Sequence, residues 1–549
     1  VLLKYIPEFF ILKYFIMPIR MTDDPVESDD SGGGFEGGGE RGGGSGGGLF
    51  GLLPLIFGLI RGPKSLLLIV GIVVAGYFLL GRGGGCNIAS VSQQGQQLAT
   101  GGILDPRVFD KSKVYEALAD DDNKNPLPES ANLQKFAPAV GDQGKQGSCV
   151  AWSSAYGART ILESARTGSD PNALKFSPAF LYNQIGLDRC DGSYINRAME
   201  FMSQRGSVPY DAFPYNDQDC KRQPDEQLLD QARQFRMRGS NRLTVGDRTD
   251  QIDLRAIKEN LSQGAPVVIG MMVGGSYMQP MMGKDVWIPS QDDKSMMGFG
   301  GHAQCVVGYD DAKYGGAFLI MNSWGPQWGN NGFAWINYNV FKYFVREAYG
   351  LEAMPAVGAA ANKPFECEVG LVQVSFNGKK TVAGNYIPLK KTSDNVFETT
   401  DALKAGTRFK MEIRNESECY IYVFGKETDG SSYTLFPYPR SDEPTKTKYS
   451  PFCGIAGYRL FPKDKSMEPD SIGTKDIMAV VVSKDSLNWS SVNEKISRNK
   501  MEDYGERLRS ALGSSTRFIQ AGLSTKGNIH FKSDGNNNRL VACIVEVNK

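Results

Sequence analysis

Hydrophobic patterning divides the chain into unlike regions. From residue 149 to 166, apolar side chains recur at Val150, Ala155, Ala158, Ile161, Leu162 and Ala165. That is the spacing of one helix face, and it predicts a helix beginning at Cys149. Beyond residue 363 the pattern changes to short alternating or wholly apolar runs, at Val369–Phe376, Phe409–Ile413, Cys419–Phe424, Ser432–Phe436, Asp476–Val482 and Val541–Val547. Turn signals such as Asn377-Gly378 and Asp429-Gly430 separate them. This spacing predicts a mostly β sandwich over 363–549 with a helix from about Lys500 to Leu512. Met354–Lys363, rich in Ala and Pro, marks the boundary before it.

The N-terminal region has a third character. Leu49–Ile60 is apolar but short, while Ser65–Leu80 is apolar without interruption. Together they predict a membrane segment over 49–82, slightly shorter in its apolar stretch than the usual span of about 20 residues. Arg41, Arg61 and Lys64 precede Ser65–Leu80 and Arg82 alone closely follows it. The positive-inside tendency then sets the N-terminus in the cytoplasm and everything downstream outside, periplasmic or extracellular. Residues 1–48, acidic and then Gly-rich, are expected to be disordered, because Ser31–Gly48 is almost entirely Gly with a few charges and too poor in apolar side chains to fold. The chain opens on Val1, and residues 1–16 read either as an upstream extension before Met17 or Met21 or as a genuine apolar first segment. Residues 83–126 are a polar linker or a reduced pro-segment, the linker being favoured.

Composition narrows the functions. A chain of 549 residues exceeds one ordinary domain. Lys plus Arg and Asp plus Glu both count 61, so no basic surplus points to nucleic acid. There is no Cys-x-x-Cys, only two His, and no Gly-Lys-Ser/Thr ending to the Gly runs at 32–48 and 83–85. No metal site, phosphate loop or other cofactor is therefore implied.

The chemistry-bearing stretch is Gln143-Gly144-Lys145-Gln146-Gly147-Ser148-Cys149-Val150-Ala151-Trp152. Downstream come Gly300-Gly301-His302-Ala303 and Asn322-Ser323-Trp324-Gly325. Cys, His and Asn in that order are the parts of a thiol hydrolase. The base is nearly forced, because the other histidine, His530, lies in a polar C-terminal segment. A free thiol with a pKa of about 8.5 is mostly protonated at neutral pH, and a helix N-terminus at Cys149 would favour its thiolate.

With these motifs on view, residues 127–356 resemble the papain-like cysteine peptidases of bacterial type. The resemblance implies a two-lobed α+β catalytic domain that hydrolyses peptide or protein substrates. It assigns Cys149 as nucleophile, His302 as its acid–base partner, Asn322 as the residue orienting the imidazole, and Gln143 with the Cys149 N–H as oxyanion donors. Trp324 is expected to cover the His–Asn bond. Two departures stand out: Gln146 replaces a family Cys, and Val150 an aromatic residue. Cys190 and Cys220 fall near cysteines of two different family bridges, and either pair with each other or stay reduced. Substrate contacts are expected at Gly192, Ser193, Gly301 and Trp324, with Met354 on the floor of the pocket for the second residue upstream of the scissile bond. Ser193 replaces a family glycine. The insert 283–300 reads as a surface loop, or else a lid over the cleft.

The run Cys419–Phe424 followed by Asp429-Gly430 and Tyr433–Pro437 resembles a β-rich accessory module found behind bacterial peptidases, whose role is open and which is expected to bind a protein or envelope partner. Two competing functions follow. One is a thiol amidase or transferase on small peptides; the other is a latent scaffold acting through its β module.

Overall fold

The structure is a computed structural model and describes residues 19–24, 98–355, 365–377, 381–463, 465–513, 519–533 and 539–549. The expected membrane segment at 49–82 lies outside them. Among the described residues, no helix is long and apolar enough to cross a membrane.

The predicted helix does begin at Cys149. It runs through Thr167 and widens to π-type hydrogen bonding over Trp152–Arg159. Its middle is buried on every side, from Cys149 to Ser164. Two further helices, Pro178–Ile185 and Ile195–Gln204, pack beside it. The first is started by Ser177, whose hydroxyl accepts the Phe180 N–H, with Pro178 at a position that has no helical donor to lose.

Opposite the helices stands an eight-stranded sheet. Its central strands are Val345–Leu351, Val267–Val273, Gly300–Asp310 and Ala317–Met321, antiparallel neighbours in that order. Val267–Val273 is almost wholly apolar and almost wholly buried, as a strand covered on both faces must be. The helices and this sheet share one core.

The C-terminal part forms two sheets around a second core. One carries Phe365–Phe376, Phe409–Asn415 and Ile529–Ser533; the other carries Cys419–Lys426, Lys475–Ser483 and Leu540–Asn548. The expected helix is present as Tyr504–Leu512, and a second, Trp489–Arg498, lies beside it. Both cover the outer face of the second sheet through Val492, Ile496 and Leu508.

Part of the tail expected to be disordered is ordered. Ile19–Asp23 adds an antiparallel edge strand to Lys465–Pro469. Ile19 is buried, and the Asp24 carboxylate pairs with the buried Lys410 ammonium at 2.6 Å. The side-chain burial and ladder bonds offset the ordering cost that composition alone suggested could not be met.

The stretch 105–125, expected to be a linker, is a seam between the two cores. Val114 bridges Arg242 on one side and Tyr449 on the other. The Leu118 N–H donates to Glu259 Oε2 at 3.1 Å, and Arg440 donates to the Asp110 carbonyl at 2.8 Å. Arg459 is fully buried and donates to the Glu116 carbonyl, to Asn415 Oδ1 and to the Ile455 carbonyl. Replacing it with Met keeps the volume but leaves those acceptors unpaired. Arg459→Met is expected to destabilise the fold by about 3 kcal/mol, since bonds to charged groups are the strong ones. An unchanged thermal melt would contradict the seam.

Candidate active site

Cys149 opens the central helix, while His302 and Asn322 come from the sheet: His302 from strand Gly300–Asp310, and Asn322 from just beyond Ala317–Met321. Cys305 pairs with Met321, which brings the start of one strand beside the end of the other. As a result His302 Nε2 lies 2.8 Å from Asn322 Oδ1. The Ala303 N–H donates to Cys149 Sγ at 3.4 Å, and His302 Nδ1 is buried without a hydrogen-bond partner. The Trp324 indole stacks on the imidazole, with centroids 4.3 Å apart and planes 19° off parallel, so it shields the His–Asn bond from water.

Gln143 is fixed on three sides. Its Oε1 accepts the Ser323 hydroxyl at 2.6 Å, its Nε2 donates to the Gln146 carbonyl at 3.0 Å, and its carbonyl accepts the Tyr215 hydroxyl at 2.8 Å. These contacts hold the amide in one orientation, with one of its two N–H groups committed to Gln146. Cys190 and Cys220 are joined as a disulfide, which resolves the pairing that the sequence left open.

What the sequence did not reveal is that the cleft is covered. Residues 98–105 run through it, paired on both sides. Gly101 and Gly102 N–H groups donate to the Gly301 carbonyl at 3.2 and 3.0 Å. Opposite, the Ser193 N–H donates to the Gly101 carbonyl and the Ile103 N–H to the Ser193 carbonyl, both at 3.0 Å. The Trp324 indole N–H donates to the Ala99 carbonyl at 2.7 Å. The expected substrate contacts Gly192, Ser193, Gly301 and Trp324 therefore all meet the chain's own backbone. The glycines are steric necessities here: a side chain on Gly192 would sit 2.3 Å from the Gly101 carbonyl oxygen, and one on Gly301 2.1 Å from that of Gly102. Ser193 needs no such exemption, because Gly192 provides the close approach.

Met354 follows the end of strand Val345–Leu351 and packs against the catalytic core, while within that strand Glu347 is in register with Gly270. The insert 283–300 is pinned rather than free. Trp287 is buried against Tyr277 and Phe344, and the Asp293 carboxylate accepts from Ser276 and Ser290.

Covering changes the electrostatics. Burial pushes the Cys149 thiol up to about 12, although N–H groups of Ala303, Val150 and Gly102 favour its thiolate. Burial likewise pulls His302 down to about 4, against the bond to Asn322. A raised thiol and a depressed imidazole are both neutral at pH 7, so the pair rests uncharged.

A family model described as papain family cysteine protease matches residues 127–357. The chain carries a papain-family cysteine protease domain. Among curated proteins, mouse cathepsin K is 28% identical over 214 residues, covering 38% of this chain and 59% of that protein. A cathepsin B-like protein, CP2, of Giardia intestinalis is 26% identical over 228 residues, covering 38% and 69%. Among solved structures, xylellain, a cysteine protease from Xylella fastidiosa, aligns with a TM-score of 0.38 and 21% identity over 48% of this chain and 97% of that one. Procathepsin L 3 of Tenebrio molitor aligns with a TM-score of 0.34 and 22% identity over 45% and 77%. The chain thus spans 59% of the length of cathepsin K in that match.

The cover makes a direct prediction. Gly101 has φ +149°, and a side chain on it would fall 2.3 Å from the Gly147 carbonyl oxygen. Gly101→Val should expel the segment, and iodoacetamide labelling of Cys149 near pH 7, followed by intact mass, should speed up at least about tenfold as the thiol is rehydrated. Equal rates in the two proteins would contradict the cover.

Proposed function

We propose that this chain is a cysteine endopeptidase held latent by its own residues 98–105. The observation that carries the proposal is the single constellation of Cys149, His302 and Asn322, with the 2.8 Å His–Asn bond under Trp324. Once the cleft is open and wet, the Cys149 proton passes to His302 Nδ1, and thiolate and imidazolium stabilise each other. The thiolate attacks the scissile carbonyl. The second Nε2–H of Gln143 and the Cys149 backbone N–H take the oxyanion. The imidazolium then protonates the leaving amine, and water, deprotonated by His302, hydrolyses the thioester. Asn322 keeps Nε2 engaged, so that Nδ1 is the atom that moves the proton.

Residues 98–105 serve as an intramolecular competitor, since they use the same backbone groups a peptide would use. The Gly102 N–H near the sulfur favours thiolate, so it is burial by the segment, and not this contact, that keeps the thiol protonated. The proposal retains a membrane tether at 49–82, motivated by the apolar run Ser65–Leu80, with the enzyme on the outer side and the β module available to a partner.

The catalytic roles are tested in full chain carrying Gly101→Val. Adding Cys149→Ala or His302→Ala should abolish hydrolysis of a fluorogenic peptide, and Gln143→Ala should lower kcat about 100- to 1000-fold with little change in KM. Persistent turnover in Cys149→Ala would refute thiol catalysis. For the tether, alkaline extraction of membranes should leave the full chain in the pellet; release into the supernatant would contradict it.

A further inference from the structure

Exposed apolar surface gathers at one place on the catalytic domain. Met297, Ile288 and Tyr343 are 87%, 77% and 48% exposed, the three most exposed large apolar side chains among the described residues. All three emerge from one aromatic base. Phe344 packs on Trp287 with ring centroids 4.7 Å apart and on Phe299 at 6.0 Å. Ile288 follows Trp287, Met297 precedes Phe299 by two residues, and Tyr343 precedes Phe344. The Tyr343 hydroxyl donates to the Lys294 carbonyl at 2.8 Å, which ties helix Tyr338–Phe344 to the insert. The insert is held in this shape by Asp293, whose carboxylate accepts the Ser276 and Ser290 N–H groups at 3.1 and 2.7 Å. The apolar tips are thus fixed in water by polar bonds beneath them.

The rim of this patch is basic. Lys294 and Lys342 are exposed beside it, and exposed Arg346 donates to the Met296 sulfur at 3.2 Å. Of the insert's acids, Asp293 is buried in its own loop, Asp285 pairs with Lys313 at 3.6 Å, and Asp292 remains exposed. The covering segment meets the end of the insert here, since a methyl group on Gly300 would lie 3.1 Å from Thr100 Oγ1. Upstream, residues 81–97 separate Leu98 from the apolar run Ser65–Leu80. A stretch of that length reaches at most about 60 Å, so a bilayer holding Ser65–Leu80 is kept close to the patch. Isolated projecting tips would need a matching hollow on a protein partner. Lipid closes around any apolar tip, and anionic headgroups take the cations of the rim. We infer that Ile288, Met297 and Tyr343, rimmed by Lys294, Lys342 and Arg346, form a docking surface for an anionic lipid bilayer. This rests on the tether proposed above and goes beyond it, because it fixes which face of the catalytic domain meets the membrane.

The mixed character of the patch gives a salt signature. The cations are exposed, so salt screens their attraction to headgroups; the screening length is about 8 Å at physiological ionic strength and about 3 Å at 1 M. The apolar tips are indifferent to that screening. High salt therefore weakens docking without abolishing it.

The test uses full chain carrying Cys86→Ser and Met297→Cys. The six free cysteines among the described residues are buried, so a maleimide dye marks position 297. The protein is reconstituted into vesicles of roughly three parts phosphatidylcholine to one of phosphatidylglycerol, with brominated acyl chains as quencher. The dye should be quenched, whereas the same dye on Val382→Cys, at a position 41% exposed in the β module, should not be. Ile288→Asp should lower the ratio of docked to undocked protein, read from the quenching at 297, by about 10- to 100-fold, the range for burying one aliphatic side chain. Lys294→Gln and Lys342→Gln should each lower it about fivefold. All three positions are exposed, so the fold should tolerate these changes. Protein that co-floats with the vesicles without quenching at 297 overturns the inference and leaves the tether standing. Quenching that Ile288→Asp leaves unchanged, or that is equal at 382, overturns it too. Protein that does not co-float overturns the tether and the inference together.

Discussion

The structure of the cleft depends on one arrangement of backbone hydrogen bonds. Residues 101–103 are held between Ser193 on the helical side and Gly301 on the sheet side, by four N–H to carbonyl bonds of 3.0 to 3.2 Å. Several properties of the site in this state follow from that pairing. It requires glycine at 101, 192 and 301, where side chains would overlap backbone atoms. It removes Cys149 and His302 from water, and removal from water shifts both toward their uncharged forms. It also sets Leu104 and Asp105 against Gly270 and Glu347.

The covering segment is short, and its hold on the cleft is reinforced from behind. Residues 105–125 continue directly from it into the seam between the catalytic core and the β module, where Val114, Asp110, Glu116 and Asn125 are each bonded to the C-terminal part. Anchoring one end of a competitor raises its local concentration over the cleft without any added contact at the active site. The β module thus helps hold the covering segment through chain connectivity, and its buried Arg459 makes one of those contacts, to the Glu116 carbonyl, while Asn415 and the Ile455 carbonyl fix the guanidinium from within the module.

Much of this was legible in the sequence where the signal is local. The helix starting at Cys149, the C-terminal strands and the Gln143, Cys149, His302 and Asn322 set all depend on short-range pattern or on motif order, and the described geometry brings the last three together. What escaped is long-range. Ile19–Asp23 pairs with strand Lys465–Pro469 far along the chain, and five residues are too few for an alternation to stand out. Glu347 escaped because only the sheet register says which residue lies opposite Gly270. Residues 98–105 have no periodicity to detect, since their role rests on main-chain groups. The one available signal was the pair Gly101-Gly102 at a short distance before the catalytic domain.

The central claim is that these main-chain bonds exist in the resting protein, and amide hydrogen exchange reads them directly. Residue-resolved exchange of the full chain should show Gly101, Gly102, Ile103 and Asp105 protected well beyond the rates of an unstructured peptide. Alkylation of Cys149 by a bulky peptide-like thiol trap, which must displace the segment, should abolish that protection while leaving the seam at 114–119 unchanged. Exchange of the four amides at free-peptide rates before the trap is added would contradict the account.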